Sequence, residues 1–334
     1  MSTPTVSIII PTLDAEATLS AALDSVLNDQ TVSVEVLVVD DGSVDGTHQV
    51  VVDRQDERIR WLTTGARRSG SGVTRNIALA AAEGEWIGLL DADDVWAPGR
   101  LERLLEAGRR GGCRVVCDDL AVVVQGRQRT TLLQMRGLRE RPEVWTIGLA
   151  DLIRYDLGLF MPIFGREHVT EGGLRYPTYR CSTPDFALLF DLLAREGRAV
   201  VVNEPMYRYH KQSDSESAAR PGFWLDSLRM TADVLQRQAA DDPVIEGLLE
   251  KRMAASLAKY HYLMARQHLR DRRLLAGVRS LARSPGALGL AVAGASRRVG
   301  PRSRPRRRSI PLPVHRRASS GAPRCGASDV PQEP

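Results

Sequence analysis

The stretch VEVLVVDDGSVDGT, residues 34–47, decides the fold. Five of its first six side chains are aliphatic, and a near-continuous aliphatic run is typical of a strand buried on both faces of a sheet. Two aspartates follow directly, Gly42 eases the turn, and Ser43 or Asp45 can cap a helix that begins near Thr47. The stretch therefore predicts a buried strand, an acidic turn and a helix in succession.

The same alternation continues on either side of this stretch. Short aliphatic runs predict further strands, and apolar residues at helical spacing predict the helices between them. These strands are expected at residues 6–10, 59–62 and 86–90, and the helices at 17–27, from 45 onward and at 74–82. Buried strands separated by helices indicate an α/β fold with a mostly parallel sheet and helices on both faces. Such sheets bind ligands beyond the carboxyl ends of their strands, where the strand order reverses.

The rest of the chain is less regular. Short strands are expected at 114–117, 121–124 and 199–202, together with a helix over 184–195 that has a proline at its first position. Residues 222–282 carry Leu, Met and Ala every three or four positions and predict helices. After Ser284 the sequence is rich in Pro, Gly, Ser and Arg. Such a composition cannot bury enough apolar surface to offset the entropy of ordering, so disorder is expected there.

Charge and composition narrow the class of protein. The formal net charge is +5, but nine arginines and no acid lie between Arg297 and Arg317, so the folded part is roughly neutral. The four cysteines are too scattered for a disulfide framework, and Cys113 and Cys117 fit a strand better than half of a zinc site. The sequence shows no secretory leader and no apolar run approaching the ~20 residues of a membrane span. A cytoplasmic protein is expected.

The loop after the first predicted strand argues against two large enzyme classes. It reads Ile10-Pro11-Thr12-Leu13-Asp14. Neither the glycine-rich turn of dinucleotide-binding proteins nor the Gly-x4-Gly-Lys-Ser/Thr loop that cradles phosphates follows it. A dehydrogenase and a P-loop NTPase are therefore disfavoured.

Acidic residues cluster where two of the predicted strands end. Asp40 and Asp41 follow the second strand, and the segment DADD, residues 91–94, follows the fourth. A strand order of 3-2-1-4 would place Pro11 and Thr12 between these two acidic tips. Carboxylates that converge in this way repel one another unless a cation or hydrogen-bond donors lie among them.

Each acidic tip has a specific chemical interpretation and a plainer one. Asp91 and Asp93 are spaced so that both can bind one hard cation, Mg²⁺ or Mn²⁺, which keeps positions open for a diphosphate. The plainer interpretation of an isolated Asp-x-Asp is a solvated turn. Asp41 could accept a hydrogen bond from the ring N–H of uracil. The plainer interpretation of that tip is helix capping, which we assign to Ser43 and Asp45.

Four ordered blocks of the sequence together resemble family 2 glycosyltransferases of GT-A fold. The blocks are SIIIPT at 7–12, EVLVVDDGSVDGT at 35–47, TRN with AAEGEWI within 74–87, and LDADD at 90–94. The resemblance extends from residue 5 to about 210 and is strongest up to 110. It implies a metal-dependent, inverting transfer of a sugar from a nucleotide diphosphate donor, UDP foremost, to an acceptor hydroxyl.

The resemblance also assigns roles to individual residues. Pro11, Thr12 and Asp41 would contact the base, and Asp91 and Asp93 would hold the donor and a Mn²⁺ or Mg²⁺ ion. The full set predicted to bind the donor is Pro11, Thr12, Asp14, Asp41, Arg75, Asp91, Ala92 and His210. Arg75 could instead form a structural ion pair. His210 and its neighbour Lys211 could contact the diphosphate, or His210 could be an ordinary hydrogen-bonded side chain of the core or surface.

An inverting transfer needs a general base that deprotonates the acceptor hydroxyl. Residues 164–174 and 183–189 resemble the acceptor region of the family, in which an aspartate opens a helix, and Asp185 takes that position. The sequence departs from the commoner pattern here, because Pro184 replaces an acid, Leu189 replaces a frequent Trp and no Arg follows at the usual place. The alternative for Asp185 is that it only complements a helix N-terminus.

The predicted organisation has three regions. Residues 1–215 form the GT-A domain, with a nucleotide-binding half at 1–112 and an acceptor half at 113–215. Residues 216–283 form a C-terminal helical appendage, and residues 284–334 form a disordered, Arg- and Pro-rich tail. The tail could meet anionic lipid at the inner face of a membrane, or it could be a solvated linker. Nucleic acid is a third partner for clustered arginine, but no aromatic residue separates the arginines, so none is expected.

The predicted function is synthesis of a cell-envelope polysaccharide, glycolipid or glycoconjugate from a nucleotide sugar and a saccharide or lipid-linked acceptor. Two alternatives stay open. A nucleotidyltransferase would share the nucleotide-binding sheet, although it usually carries a glycine-rich basic loop that this chain lacks. A catalytically degenerate relative would bind donor or acceptor without turnover.

Overall fold

The structure is a computed structural model that describes residues 4–29, 31–179, 183–211, 220–238 and 242–291. Its strands are β1 (Val6–Thr12), β2 (Val34–Asp40), β3 (Ile59–Thr63), β4 (Trp86–Leu89), β5 (Val95–Trp96), β6 (Val115–Val124), β7 (Arg127–Thr131), β8 (Val144–Ile147), β9 (Ile163–Gly165) and β10 (Ala199–His210). The predicted tail begins at 284; residues 285–291 are helical, and residues 292–334 lie outside the described part.

The helices alternate with these strands in the first half and dominate the end of the described chain. They are α1 (Leu19–Leu27), α2 (Thr47–Arg54), α3 (Ser71–Ala81), α4 (Arg100–Gly111), α5 (Leu132–Met135), α6 (Leu149–Arg154), α7 (Glu167–Thr170), α8 (Pro184–Glu196), α9 (Pro221–Gln238), α10 (Pro243–Arg270) and α11 (Leu274–Ala282). No described helix is long and apolar enough to cross a lipid bilayer.

The first half of the sheet is parallel, and its strand order is the one that brings the two acidic tips together. β1 pairs with β2 on one side and β4 on the other, and β2 also pairs with β3, so the order is β3-β2-β1-β4. Right-handed crossovers place α1 and α2 on one face and α3 on the other, because β4 returns past β1. All seven residues of β2 are buried, as its aliphatic run predicted. The acidic tips therefore emerge at one edge of the sheet.

The second half of the sheet is mixed. β9 runs antiparallel to both β4 and β6, while β10 runs parallel to β6 and antiparallel to β5 and β8. The two short strands expected at 114–117 and 121–124 are one continuous strand, β6, and the strand expected at 199–202 extends to His210 as β10. The extension of β10 matters for the site, because it brings the end of that strand next to the segment after β4.

Two buried acids explain why β6 looked like two strands. Asp118 forms a bidentate ion pair with Arg100 at 2.6 Å, and each side chain is only 1% exposed. The Asp119 carboxylate accepts hydrogen bonds from the backbone N–H groups of Leu120 and Leu133, at 2.8 and 3.0 Å. Because both acids have partners, the strand continues through Asp118 and Asp119, which interrupt the apolar pattern of the sequence and so suggested two separate strands.

The start of α2 differs in part from the predicted cap. The cap position is Gly46, and the Asp45 carboxylate accepts the backbone N–H of Thr47 at 3.1 Å. Ser43 does not cap the helix: its hydroxyl donates to Asp40 and accepts the backbone N–H of Asp14 at 2.8 Å. The reason is the turn after β2, which folds Ser43 back onto the strand end and the β1 loop.

The helices α9 to α11 pack beside the second half of the sheet domain. Arg237 of α9 pairs with Asp191 of α8 at 3.0 Å. Arg252 of α10 pairs with Asp156, and its guanidinium lies 4.0 Å from the ring centre of Phe186. Arg252 has little exposed surface, so this contact is a fixed part of the fold rather than a solvated ion pair.

Candidate active site

A cleft of about 860 Å³ opens beyond the carboxyl ends of β1, β2 and β4. It brings together nearly all of the residues that the sequence singled out. Those in its lining are Pro11, Thr12, Asp14, Asp41, Arg75, Asp91, Ala92, Asp93 and Asp185. His210 is not among the described residues that line this cleft. Both acidic strand tips and Asp185 therefore face one shared space.

The first acidic tip is ordered by a loop that folds over it. The Asp41 carboxylate accepts the backbone N–H groups of Ser69 and Gly70, at 2.8 and 2.9 Å, and the Thr64 hydroxyl at 3.1 Å. Gly42 is in the left-handed region at φ +83°, and a Cβ there would collide with the backbone of Ala66. A carboxylate offers about four acceptor positions, so Asp41 can accept one further donor from the cleft.

Asp14 joins the loop after β1 to the loop after β2. One carboxylate oxygen accepts the backbone N–H of Val44 at 2.9 Å, and the other pairs with Arg67 at 2.6 Å. Its backbone has φ +50°, a left-handed conformation that aspartate tolerates better than most residues. Because Arg67 belongs to the loop after β3, Asp14 holds three loops together at the rim of the cleft.

The second acidic tip is anchored by β10. The Tyr207 hydroxyl accepts the backbone N–H of Asp91 at 3.1 Å and donates to Asp94 at 2.8 Å. The backbone N–H of His210 also donates to Asp94, at 2.7 Å, and its ring Nδ1 lies 3.1 Å from the carbonyl oxygen of Asp93. His210 thus supports the acidic tip from behind and does not face the cleft.

The charge on the second tip is unevenly distributed. Burial raises the pKa of Asp94 to about 8, and the nearby charge of Asp91 acts in the same direction, against the hydrogen bonds from His210 and Tyr207. Asp94 is 1% exposed, whereas the Asp91 side chain is 32% exposed. Asp94 is therefore a structural acid, and Asp91 and Asp93 are the acids of this tip that line the cleft.

Arg75 connects the second tip to the predicted base. Its guanidinium lies 2.6 Å from Asp91 Oδ1 and 3.9 Å from Asp185 Oδ1. Burial acts to lower the pKa of Arg75, but the carboxylates of Asp185 and Asp91 raise it further above its ordinary value. A fixed positive charge thus lies between two carboxylates of the cleft.

Tyr176, a buried residue, completes this group. Its hydroxyl donates to Asp185 Oδ1 at 3.2 Å, and the Arg75 guanidinium lies 5.2 Å from its ring centre. Burial raises the pKa of Asp185, while Arg75 and the Tyr176 hydrogen bond act to lower it and Asp91 raises it. Asp185 is therefore a poorly solvated carboxylate next to a cation, which is typical of an acid or base in a reaction.

The chain also resembles known proteins. The family model described as Glycosyl transferase family 2 matches residues 7–164. The putative teichuronic acid biosynthesis glycosyltransferase TuaG of Bacillus subtilis is 30% identical over 64% of this chain and 82% of its own length. This chain belongs to glycosyl transferase family 2. The succinoglycan biosynthesis protein ExoO of Rhizobium meliloti is 28% identical over 85% of this chain and 83% of its own length.

Solved structures of other glycosyltransferases share the fold. S. aureus TarS in complex with UDP-GlcNAc has a TM-score of 0.60 at 18% identity, over 82% of this chain and 89% of the TarS chain. The mannosyltransferase PcManGT of Pyrobaculum calidifontis, in complex with GDP-Man and Mn²⁺, has a TM-score of 0.60 at 19% identity, over 90% of this chain and 82% of its own. The fold of this family 2 glycosyltransferase is therefore GT-A.

The carboxylates of the second tip suit a divalent cation in a donor complex. Within the described ranges, there is no group of three or more His, Cys, Asp or Glu side chains that could hold a metal ion. Asp91 and Asp93 offer oxygen ligands, and Mg²⁺ is commonly bound by one or two carboxylates together with substrate phosphates and water. These two carboxylates thus fit a hard ion whose remaining ligands are supplied by the substrate and water.

Sequence reasoning missed the three buried residues that hold this glycosyltransferase site in shape: Tyr176, Asp94 and Tyr207. The sequence did hold a signal for the structural role of Asp94. It is the third acid of the DADD segment, and two acids are enough to bind a metal ion. Tyr176 and Tyr207 gave no such signal, since a lone tyrosine in a mixed segment is as consistent with a core position as with a site.

Proposed function

We propose that this glycosyltransferase moves a sugar from a nucleotide diphosphate donor, UDP-linked in the first instance, to an acceptor hydroxyl with inversion at the anomeric carbon. One observation carries the proposal: Asp41, the Asp91 to Asp93 segment and Asp185 line a single cleft of about 860 Å³. Small-ligand sites in proteins commonly have volumes of roughly 300–1,000 Å³, so one donor molecule can reach all three.

The nucleotide end of the donor is assigned to the first acidic tip. The remaining acceptor position of Asp41 suits the single ring N–H of uracil, and Pro11 and Thr12 lie beside it in the lining. Asp41 is 4% exposed, so a hydrogen bond there is shielded from water and discriminates between bases. TarS, which shares the fold, binds UDP-GlcNAc.

The diphosphate is assigned to Arg75, Asp91, Ala92 and Asp93, with Mn²⁺ or Mg²⁺ as the cofactor. When bound there, the ion would stabilise negative charge on the leaving diphosphate. Asp91 and Asp93 would hold the ion, and the preference of Mg²⁺ for carboxylate oxygens supports this assignment. PcManGT, which shares the fold, is complexed with Mn²⁺ and a nucleotide sugar. Arg75 already pairs with Asp91 and would supply a second positive charge to the phosphates.

Asp185 is assigned as the general base. It lies in the first turn of α8 and lines the same cleft as the two acidic tips, so an acceptor hydroxyl bound in that cleft can reach it. Arg75 favours the ionised form that can accept a proton, while burial favours the neutral form, and this balance suits a base that must take up and release a proton. The Thr183 side chain does not cap α8, and Asp185 is an acid in the first turn of that helix, so complementing the helix N-terminus is the alternative role.

The acceptor class and the outer regions follow as further proposals. TuaG is named for teichuronic acid biosynthesis and ExoO for succinoglycan biosynthesis, which supports a saccharide or lipid-linked acceptor in cell-envelope polysaccharide synthesis. We divide the chain into a GT-A domain at 1–215, a helical extension at 216–283 and a tail at 284–334. Contact of that tail with a membrane stays a prediction.

The test is donor turnover with purified protein. UDP-sugars and GDP-sugars are incubated with Mn²⁺ or with EDTA, and release of nucleoside diphosphate is measured with water and with a panel of saccharide acceptors. We expect turnover of a UDP-sugar that is lost in EDTA and lost in Asp93→Ala. The matched control is Asp53→Ala, an exposed acid on α2 outside the cleft. Full turnover by Asp93→Ala would show that the metal assignment is wrong.

A second variant separates binding from chemistry. Asp185→Asn keeps the shape of the side chain but cannot accept the proton, and a positioned base commonly contributes about 10²–10⁴-fold in rate. We expect a loss of that order in transfer with unchanged UDP affinity. Pyrophosphate release from an NTP would instead favour a nucleotidyltransferase, and metal-dependent UDP binding without any turnover would favour a degenerate relative.

A further inference from the structure

Large aliphatic side chains face solvent on α11 and on the helical residues 285–291 that follow it. On α11 the exposed fractions are 66% for Leu274, 77% for Leu275 and 62% for Val278. Leu288, in the helical residues 285–291, is 54% exposed. Single exposed aliphatic residues are common on protein surfaces, but four within fifteen positions form a patch that is typical of an interaction site. We call these four residues the α11 patch.

The helix α11 turns its small residues toward the protein and its large aliphatic residues toward solvent. The residues that face α10 are small, among them Gly277 and Ser280, and a Cβ at Gly277 would lie 3.1 Å from the Leu269 side chain. Gly286 packs as closely, because its Cβ would meet that of Ala258 at 2.8 Å. A surface helix normally turns its large apolar residues toward the core. Here the small residues allow close packing, and the leucines remain outside.

Basic residues surround this patch. Arg272 and Arg273 precede α11, Arg279 lies within it and Arg283 follows it, and all four are exposed. Among the described residues, no carboxylate lies within ion-pair distance of these arginines. Arg272 and Arg273 follow the C-terminus of α10, where positive charge complements the helix dipole, and they also lie at the N-terminus of α11, where it does not. The four exposed arginines therefore give the margin of the α11 patch a positive charge that complements an anionic surface.

We propose that the α11 patch and its four arginines dock on the surface of an anionic lipid bilayer. An interfacial helix places aliphatic side chains at the boundary of the acyl region, while arginines at its margins pair with lipid phosphates. Both halves of this pattern are present, whereas an apolar protein partner would account for the leucines but not for the unpaired arginines. The sequence after 291 adds nine more arginines and no acid between Arg297 and Arg317, which continues the same charge.

The experiment is co-sedimentation of the full chain with vesicles. One set of vesicles is phosphatidylcholine alone, and the other has equal parts of phosphatidylcholine and phosphatidylglycerol. We expect binding to the anionic set that falls as salt is raised, and weak binding to the neutral set. Leu274→Ser/Leu275→Ser/Val278→Ser should weaken anionic binding at least tenfold. Arg272→Glu/Arg273→Glu should weaken it by a similar factor, since each arginine near an anionic surface contributes roughly fivefold.

Matched controls separate this surface from general effects. Met135→Ser/Val144→Ser/Leu159→Ser removes three scattered aliphatic side chains that are 41–47% exposed, and Arg127→Glu/Arg129→Glu reverses two exposed charges on β7. Both controls should bind as the wild type does, and all variants should keep its melting temperature. Donor turnover without vesicles should be unchanged, so the result is independent of the proposed reaction.

Three outcomes would overturn the proposal. One is a wild-type chain that does not bind anionic vesicles. The second is binding that both α11 variants retain, which would assign it to another part of the chain. The third is a concentration-dependent dimer in the absence of lipid that the triple serine variant abolishes, which would assign the α11 patch to a second copy of this chain.

Discussion

Substitution of Tyr176 by Phe gives a sharp test of how the base is held. The change removes only the hydroxyl, which donates to Asp185 at 3.2 Å, and it keeps the ring beneath the Arg75 guanidinium. Because this hydrogen bond favours the ionised carboxylate, its loss raises the pKa of Asp185. Activity that needs the carboxylate is lost as pH falls through that pKa. The acid limb of the pH profile should therefore move to higher pH.

The magnitude follows from the geometry. A hydrogen bond to a charged group contributes about 1.5–3 kcal/mol, and a long O–H···O bond contributes less, so we take about 0.7–1.4 kcal/mol. Since 1.4 kcal/mol is about a factor of ten, kcat/KM on the acid limb should fall about three- to tenfold. On the plateau, where Asp185 is ionised in both proteins, the two rates should differ little.

The assay is release of nucleoside diphosphate from the donor, measured from the acid limb to the plateau at constant ionic strength. The control is Tyr262→Phe, a partly buried tyrosine of α10 that lies outside the cleft lining. An acid limb that superimposes on the wild type would refute the reasoning. An equal loss at every pH would also refute it, because it would indicate a structural role for Tyr176 unconnected with proton transfer.

Two further predictions concern the structure around the cleft. Arg100→Met leaves Asp118 as an unpaired buried carboxylate, so the free energy of unfolding measured in urea should fall by about 3–5 kcal/mol, and Arg100→Met/Asp118→Leu should recover most of that loss. Asn76→Ala removes the side chain that exchanges two hydrogen bonds, of 2.8 and 2.9 Å, with the backbone of Tyr176, so kcat should fall while UDP affinity stays within a factor of about three. A lower UDP affinity with unchanged kcat would contradict the second prediction.

The sequence sufficed for the first half of the fold because its signals are local. The aliphatic run before Asp40 and the one before Asp91 each define a buried strand, and the acids that follow each run must then lie at the same edge of a parallel sheet. The buried strands and their acidic ends need no knowledge of what other segments do. The two tips then meet in one cleft because the strand order is 3-2-1-4, which the local patterns allow but do not determine.

The second half depended on contacts that the sequence does not display. Asp118 breaks the apolar pattern of β6 unless Arg100, 18 positions earlier, is known to neutralise it. Tyr176 reaches Asp185 because Asn76, 100 positions earlier, fixes its backbone. His210 is predicted to contact the donor, and it is the length of β10 that brings its ring to the carbonyl oxygen of Asp93. Each of these outcomes follows from a long-range pairing, which single-sequence patterns do not encode.

The most direct test of the central proposal is calorimetric titration with UDP and with uridine, each with and without Mn²⁺, for the wild type, Asp41→Asn and Asp93→Ala. If both acidic tips bind one donor, Asp41→Asn should weaken the binding of uridine and of UDP by the same factor. Asp93→Ala should remove only the part of the UDP affinity that depends on Mn²⁺. UDP affinities that match the wild type in both variants, with Mn²⁺ present, would contradict the account.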